Sequence, residues 1–244
     1  MNLLGLDSAG KTAGVCLLRD GTVVYESYLA VANTHSETLL QLCDDALRAA
    51  RLTCADVDAF AVCAGPGSFT GLRIGIAAVK GLAFVLDTPC VPVSTLEALA
   101  CGAAVDGLVA AALDARRGEV YCALFERAQG SVRRLLPDSA MSAAAFAALL
   151  AARSAPVWCL GDGAQLVCAA APEAVRLYPA AYRLGRACGV CLAAAAAMDR
   201  GESVSPAALV PDYHRLSQAE RERAEKLRAQ YAADTAAEVP QPAR

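Results

Sequence analysis

Histidine is scarce in this sequence: only His35 and His214 occur among 244 residues. Because an imidazole-based metal site needs several histidines close together, we predict that this chain binds no metal. Lysine and arginine form no block, and 22 basic against 25 acidic side chains give a net charge of −3. An independent nucleic-acid-binding surface is therefore not indicated, and we expect any RNA to be held through a partner.

Long hydrophobic segments and a cysteine framework are also missing. Outside weakly hydrophobic alanine tracts there is no uninterrupted apolar run of membrane-spanning length, and Met1 is followed by an apolar run without a basic segment. We therefore expect a cytoplasmic protein that has no membrane partner. The eleven cysteines are odd in number and scattered through apolar stretches, which is typical of small core residues. Cys188 and Cys191 form a lone C-x-x-C pair and lack the second pair of a zinc site.

The most informative stretch is AGPGSFTGLRIG at residues 64–75. It follows an apolar run at residues 59–64 and continues into a helix-forming segment, which predicts a strand, a tight loop and a helix. Glycine tolerates positive φ, and free N–H groups at a helix N-terminus can bind an anion. Anion binding and a simple tight turn both fit Gly65, Gly67 and Ser68.

A second phosphate-binding pattern stands near the N-terminus. Residues 5–12, GLDSAGKT, match the Walker A pattern G-x-x-x-x-G-K-[ST]. A P-loop must be followed by a helix, whereas residues 14–28 are rich in β-forming residues around an Asp-Gly turn. We therefore predict two antiparallel hairpins here, with Asp7 and Ser8 in the first phosphate loop of an actin- or hexokinase-like protein.

The order of the predicted elements indicates a duplicated unit. Each half begins with a β-hairpin and continues as βαβα, so we predict an α/β fold of two subdomains. Residues 1–100 form the first subdomain and residues 101–215 the second, whose last helices can pack back on the first. Residues 216–244 are predicted to be a charged helical extension that ends in a disordered tail.

Two predicted helices, beginning near Thr34 and Thr70, present small residues beside larger apolar ones. A glycine inside a helix costs about 1 kcal/mol relative to alanine. Gly71 and Gly75 share one helix face, so close approach of another helix or subunit should offset that cost. We predict that both helices contact a partner and that Gly75→Arg abolishes the contact while the chain still folds. The predicted interface residues are His35, Leu39, Cys43, Ala46, Gly71, Leu72, Gly75, Ile76 and Val79.

Separated motifs carry a resemblance to a known family. They are AGPGSFTGLRIG at residues 64–75, VSTLE at 93–97 and LDARRGEVY at 113–121, and VPDY at 210–213 also fits. In this order they resemble the bacterial TsaB (YeaZ) family over residues 1 to about 215. The resemblance implies a duplicated actin-like (ASKHA, ribonuclease H-like) fold. The residues interpreted as vestigial phosphate loops are Asp7, Ser8, Gly65, Gly67 and Ser68.

The resemblance also implies a function. It points to a non-catalytic dimerisation and scaffold subunit that binds and activates TsaD in the complex that makes threonylcarbamoyladenosine (t6A) at position 37 of ANN-decoding tRNAs. In TsaD-like chains the segment matching residues 93–100 carries two metal-binding histidines, whereas Thr95 and Leu99 stand here. No metal and no transferase centre are therefore expected in this chain. The other implied partners are a TsaE-like ATPase, tRNA through the complex and, in the absence of TsaD, a weak homodimer; a nucleotide, ATP or ADP, is compatible with the complex interface.

Two other functions stay open at this point. Asp7 and the glycine loop would suit an ATP-dependent small-molecule kinase of the actin-like superfamily, with Asp114 as its candidate catalytic aspartate. A P-loop GTPase would need Lys11 for nucleotide binding. Turnover lost on Asp114→Ala would favour the kinase, and nucleotide binding lost on Lys11→Ala would favour the GTPase.

Overall fold

The computed structural model describes residues 1–30 and 35–214, and residues 1–213 form one compact unit. Thr34, at the predicted start of the first helix, and the predicted extension at 216–244 lie outside the described residues. The strands and helices of the described part are β1 (Asn2–Asp7), β2 (Ala13–Arg19), β3 (Thr22–Leu29), α1 (His35–Ala49), β4 (Ala59–Gly65), α2 (Phe69–Ala83), β5 (Cys90–Ser94), α3 (Thr95–Cys101), β6 (Gly107–Arg116), β7 (Glu119–Ala128), β8 (Ser131–Ser142), α4 (Ala143–Ala151), β9 (Val157–Leu160), α5 (Ala164–Ala170), β10 (Val175–Leu177) and α6 (Ala187–Asp199).

The first sheet has the strand order β3-β2-β1-β4-β5. Strands β1 to β3 pair antiparallel, as the sequence predicts, and β4 and β5 add in parallel. Asp20 and Gly21 have φ angles of 50° and 78°, which are typical of the turn that closes a two-residue hairpin. Because helices cover both faces of the sheet, every residue of β4 is buried and the strand reads as a continuous apolar run.

The second sheet repeats this arrangement in the order β10-β9-β6-β7-β8. The hairpin strands β7 and β8 lie on one side of β6, and the parallel strands β9 and β10 lie on the other. This repetition confirms the predicted duplicated α/β fold. Three details differ from the prediction: β8 is longer than residues 132–136, β10 was not predicted, and the helix expected near Leu184 begins at Ala187.

Helices α3 and α6 cross between the two sheets. Helix α3 follows the first sheet but buries Leu96 in the core of the second, and α6 follows the second sheet but buries Val190 in the core of the first. The backbones touch at Gly189, because a Cβ there would come well within 3.0 Å of the Ala98 carbonyl oxygen. The two halves therefore share their hydrophobic cores through these exchanged helices.

Helices α1 and α2 cover the other face of the first sheet. Leu39 and Cys43 of α1 join Ile76 and Val79 of α2 in one buried cluster. The helical stretch Phe69–Leu86 is long and apolar enough to pass as a membrane span by length and composition. Since 39% of that stretch is buried, its apolar residues lie partly in the core and partly at the surface.

Candidate functional site

A narrow cleft lies between the two halves of the compact unit. The space that it leaves for the centres of water-sized molecules is only about 10 Å³, which is about enough for one water molecule. Both sheets and the segment before α6 contribute to its walls. The lining residues are Asp7, Gly10, Lys11, Thr12, Thr95, Leu99, Leu113, Asp162, Leu184 and Gly185.

Asp7, the candidate acid of the first phosphate loop, is enclosed by the protein. The residue is only 4% exposed, and its Oδ1 accepts a hydrogen bond from the Ala9 amide at 3.0 Å. Burial raises the pKa of Asp7, and the Ala9 hydrogen bond opposes that rise. A Cβ on Gly185 would lie 2.5 Å from Oδ2, so Gly185 covers the second carboxylate oxygen. This carboxylate has little surface on which a phosphate or its metal ion could bind.

The second half repeats the local geometry of Asp7. Asp114 follows the buried run at residues 109–113 of β6, and its Oδ1 accepts a hydrogen bond from the Arg116 amide at 2.8 Å. Asp162, in the loop after β9, accepts a hydrogen bond from the Asp114 amide at 2.9 Å. The other Asp162 oxygen lies 3.5 Å from Lys11 Nζ. An ion pair thus crosses the cleft from the first hairpin to the second half.

The Walker A pattern at residues 5–12 does not form a P-loop. Gly5 lies within β1, where a Cβ would come within 3.0 Å of Cys191 Sγ. The element after Lys11 is strand β2 and not a helix, so the strand-loop-helix order that a P-loop requires is absent at residues 5–19. The hairpin predicted from the Asp-Gly turn is confirmed as β2 and β3, and the loop between β1 and β2 places Lys11 beside Asp162.

The two predicted phosphate loops meet each other. The Ser68 amide donates to the Ala9 carbonyl at 2.7 Å, and the Ser68 side chain caps α2 by accepting from the Gly71 amide at 3.3 Å. Ser8 Oγ donates to the Gly71 carbonyl at 2.8 Å. A Cβ on Gly67 would come within 3.0 Å of the Ala9 carbonyl oxygen. These backbone and hydroxyl groups therefore bond within the chain.

The end of the described chain covers the other side of the glycine loop. The Asp212 amide donates to the Ala64 carbonyl at 2.8 Å, and a Cβ on Gly65 would collide with the Asp212 carbonyl. Gly65 has a φ of 147°, which an L side chain rarely adopts. The loop thus uses glycine for close backbone packing, which is the tight-turn interpretation of its sequence.

Thr95 and Leu99 stand one turn apart on α3 and both line the cleft. Each is 3% exposed, and Ser94 caps the helix by accepting from the Glu97 amide at 3.2 Å. Neither side chain supplies an imidazole. Within residues 1–30 and 35–214, no three or more His, Cys, Asp or Glu side chains are grouped to hold a metal ion.

The residues predicted to contact a partner lie mostly inside the chain. Buried residues are Leu39, Cys43, Ala46, Gly71, Leu72, Gly75, Ile76 and Val79. His35 is half-buried, with Nε2 3.0 Å from the Gly10 carbonyl oxygen. A Cβ on Gly71 or Gly75 would come within 3.0 Å of Ser8, so internal packing explains both glycines. These eight residues are buried, so they do not form the exposed patch expected from the sequence, and Gly75→Arg would collide with Ser8 inside the fold.

The opposite face of α2 is the exposed one. It carries Thr70, Ala77 and Gly81 at the surface and Ile74 and Ala78 at its half-buried edge. A Cβ on Gly81 would meet only open space. Helix α1 also exposes Leu40, and the turn after α2 exposes Phe84, Val85 and Leu86. Helical spacing could have found this face, since residues 70, 74, 77 and 81 recur at intervals of three and four.

Comparison with known proteins places this fold in a family. Residues 29–238 match the family model of TsaD, tRNA N6-adenosine threonylcarbamoyltransferase. The chain is 35% identical over 167 residues to the tRNA threonylcarbamoyladenosine biosynthesis protein TsaB of Bacillus subtilis. The matched residues cover 68% of this chain and 73% of that protein. YeaZ from Pseudomonas aeruginosa superposes with a TM-score of 0.76 at 31% identity, over 87% of this chain and 99% of that one. The chain belongs to the TsaB (YeaZ) family, within the broader TsaD family.

Other members of the family agree with this assignment. The TsaB protein of Escherichia coli is 39% identical over 135 residues, which cover 54% of this chain and 58% of that protein. The predicted family resemblance is therefore confirmed. The chain has the fold of YeaZ, a duplicated α/β fold with two subdomains.

Proposed function

We propose that this chain is a non-catalytic scaffold subunit of the tRNA threonylcarbamoyltransferase complex and that it binds and activates a TsaD-like catalytic subunit. Membership of the TsaB (YeaZ) family supports a part in t6A biosynthesis, because the relatives from B. subtilis and E. coli are named for that biosynthesis. The match of residues 29–238 to the TsaD family supports a partner of related fold.

The main observation that supports a non-catalytic role is the set of residues that line and close the cleft. Thr95 and Leu99 line it where the resemblance places metal-binding histidines in TsaD-like chains. Lys11 and Asp162 span it as an ion pair, and Asp7 is enclosed beneath Gly185. A kinase of this superfamily would need an open phosphate site at the same place, so these contacts also weigh against that alternative.

The exposed face of α2 is the surface that suits a partner. We call it the partner surface and define it by Thr70, Ile74, Ala77, Ala78 and Gly81. A glycine inside a helix costs about 1 kcal/mol relative to alanine, and Gly81 has no neighbour that excludes a side chain. Small residues on an exposed apolar face allow another helix to approach closely.

The remaining partners follow from the same proposal. A TsaE-like ATPase and tRNA would join through the complex, and a nucleotide would bind at the complex interface and not to this chain alone. Without TsaD, the partner surface would form weak homodimers, as a self-complementary patch can. The complex would work in the cytoplasm, where its tRNA substrate is found.

The test is to mix the purified chain with the TsaD-like protein of the same organism and to measure complex mass and t6A formation. Ala77→Arg places a large charge in the centre of the partner surface and should abolish both. The matched control is Ala148→Arg, because Ala148 is likewise an exposed alanine on a helix, in the other half of the chain. This control should assemble and support t6A formation as the wild type does.

Two outcomes would contradict the proposal. Threonylcarbamoyl transfer by the purified chain alone would show that it is catalytic. A failure of the wild-type chain to bind the TsaD-like protein would remove the scaffold role. If Ala77→Arg folds and assembles normally while the wild type also assembles, the scaffold role would stand and the partner surface would be misplaced.

A further inference from the structure

Arg73 is a fixed and exposed cation at the edge of the partner surface. Its guanidinium carbon lies 3.9 Å from the centroid of the Phe69 ring and 5.9 Å from that of Tyr213. Arg73 Nε donates a hydrogen bond to the Tyr213 hydroxyl oxygen at 2.9 Å. The two rings themselves stack with centroids 4.6 Å apart. The aromatic contacts and the hydrogen bond therefore hold the guanidinium plane in one orientation.

The outer edge of this guanidinium has no partner in the described chain. Among residues 1–30 and 35–214, no carboxylate pairs with Arg73, and the only recorded hydrogen bond uses Nε. Other arginines of the described part do pair with carboxylates: Arg48 with Asp44, Arg133 with Glu126, Arg186 with Glu26 and Arg200 with Glu202. Within the described residues, the two terminal nitrogens of Arg73 thus have no hydrogen-bond partner, and the side chain is exposed.

The segment that ends at Tyr213 holds the arginine in place. The Asp212 amide is hydrogen-bonded to the Ala64 carbonyl at 2.8 Å, which anchors the segment to the end of β4. Tyr213 is brought over Phe69 by this anchor. The motif at residues 210–213 is therefore a positioning element for Arg73, a role that its sequence did not reveal.

We propose that Arg73 binds a carboxylate side chain of the TsaD-like partner. This inference rests on the proposed function. A guanidinium matches a carboxylate with two parallel hydrogen bonds, and its fixed orientation reduces the entropy lost on binding. Next to Arg73, the partner surface is apolar or small, so the arriving carboxylate would become partly shielded from water, which strengthens the pair.

An RNA phosphate fits this place less well than a carboxylate. Binding to an RNA backbone needs several cations along one path, and the neighbouring Lys80 instead donates to the Ala207 carbonyl oxygen at 3.3 Å. The rest of the exposed face of α2 carries no charge. The chain also has a net charge of −3. A single fixed arginine beside small apolar residues suits a protein interface.

The experiment compares the affinities of variants for the TsaD-like protein by calorimetry at two salt concentrations. Arg73→Gln should weaken binding by roughly tenfold or more, because a charge-assisted pair is lost, and should reduce the salt dependence of binding. Arg73→Lys keeps the charge but loses the planar fork, so it should restore only part of the affinity. Tyr213→Phe keeps the ring and removes the hydroxyl, and its loss should be smaller than that of Arg73→Gln.

The control is Arg153→Gln, which removes another exposed arginine in the other half of the chain and should bind as the wild type does. Thermal melts show whether each variant folds, and Arg73→Lys serves as the test if Arg73→Gln does not fold.

Unchanged affinity of both folded Arg73 variants would overturn the inference and leave the proposed function intact. Normal partner affinity with weaker tRNA binding by the complex would overturn it in favour of RNA. If the wild-type chain fails to bind the partner, both proposals fall.

Discussion

Gly71 lies directly against the backbone of Ser8. Ser8 Oγ donates a hydrogen bond to the Gly71 carbonyl at 2.8 Å, and a Cβ on Gly71 would come well within 3.0 Å of the Ser8 carbonyl oxygen. This contact joins the first turn of α2 to the end of β1. It also explains why α2 carries a glycine there without any partner outside the chain.

The three interior glycines of α2 should respond differently to alanine. Gly71→Ala introduces a backbone overlap, and overpacking of this kind should lower the free energy of unfolding by about 1–3 kcal/mol. Gly81→Ala adds a methyl group in open space and should raise the free energy of unfolding by about 0.5–1 kcal/mol, because alanine favours the helix. Urea denaturation of each variant measures the difference.

Gly75→Ala provides an intermediate case for the same helix. Its Cβ would meet Ser8 Oγ and, at 3.1 Å, a methyl group of Val62, and a serine side chain can rotate away more easily than a backbone carbonyl can move. We expect a loss smaller than that of Gly71→Ala. Equal stability of the Gly71 and Gly81 variants would show that the close packing against Ser8 does not exist.

Much of the fold is visible in the sequence because its signals are local. The Asp20-Gly21 turn fixes the hairpin of β2 and β3, and Ser94 caps α3 as its place before the helix predicts. The repeated order of hairpin and βαβα then leads to the duplicated architecture. By contrast, β10 has three residues, too few for a period to show, and it forms through its pairing with β9.

The sequence shows that a helix forms more readily than it shows what each face of that helix will contact. Gly71 and Gly75 share one face of α2, and that face could equally have met a partner or the sheet. The side chains that decide this, at Ser8 and Val62, lie in other elements. The Lys11–Asp162 pair poses the same problem, because its residues are far apart in sequence and meet only after both halves fold.

Asp7 should make the stability of the chain depend on pH in an unusual direction. Burial raises the pKa of Asp7 above its ordinary value of 3.8, so the native state holds a proton over a pH range in which the unfolded chain has lost it. The contribution of Asp7 to stability is therefore complete below the unfolded pKa and is lost as pH rises through the folded pKa, by at most about 1.4 kcal/mol per pH unit. Asp7→Asn removes this loss while an amide oxygen can still accept the Ala9 hydrogen bond.

Urea denaturation at a series of pH values from 4 to 8 tests this prediction. The stability of Asp7→Asn relative to the wild type should increase with pH and then level off once Asp7 is ionised in both states. Asp87→Asn is the control, since it makes the same substitution at an aspartate that is exposed. A stability difference between Asp7→Asn and the wild type that falls with rising pH would contradict the raised pKa.

We also expect the purified chain to carry no stoichiometric zinc or iron. The two α3 positions that the resemblance links to metal-binding histidines hold Thr95 and Leu99, and the sequence contains only two histidines. Elemental analysis after dialysis against a chelator measures this directly, with the TsaD-like partner purified in parallel as the positive control. One metal ion per chain that survives the dialysis would contradict both this prediction and the non-catalytic role.

Lys11 allows the P-loop alternative to be tested. Loss of a P-loop lysine would abolish nucleotide binding, whereas loss of a lysine that only pairs with Asp162 would change stability slightly. The Asp162 side chain is only 14% exposed but that of Lys11 is 59% exposed, and a pair with one charge so open to water contributes no more than about 1 kcal/mol. Lys11→Met should therefore lower the free energy of unfolding only slightly. Asp162→Asn should act similarly and keep an oxygen to accept the Asp114 amide hydrogen bond.

A double-mutant cycle of Lys11→Met and Asp162→Asn isolates the interaction between the two side chains, since each single change removes the same ion pair. The combined loss should be smaller than the sum of the single losses. Neither the wild type nor Lys11→Met should bind ATP or GTP in a calorimetric titration, because the element that follows Lys11 is a strand and not the helix of a P-loop and the cleft is narrow. Saturable nucleotide binding by the wild type that disappears in Lys11→Met, with the fold intact, would restore the P-loop function that the hairpin geometry argues against.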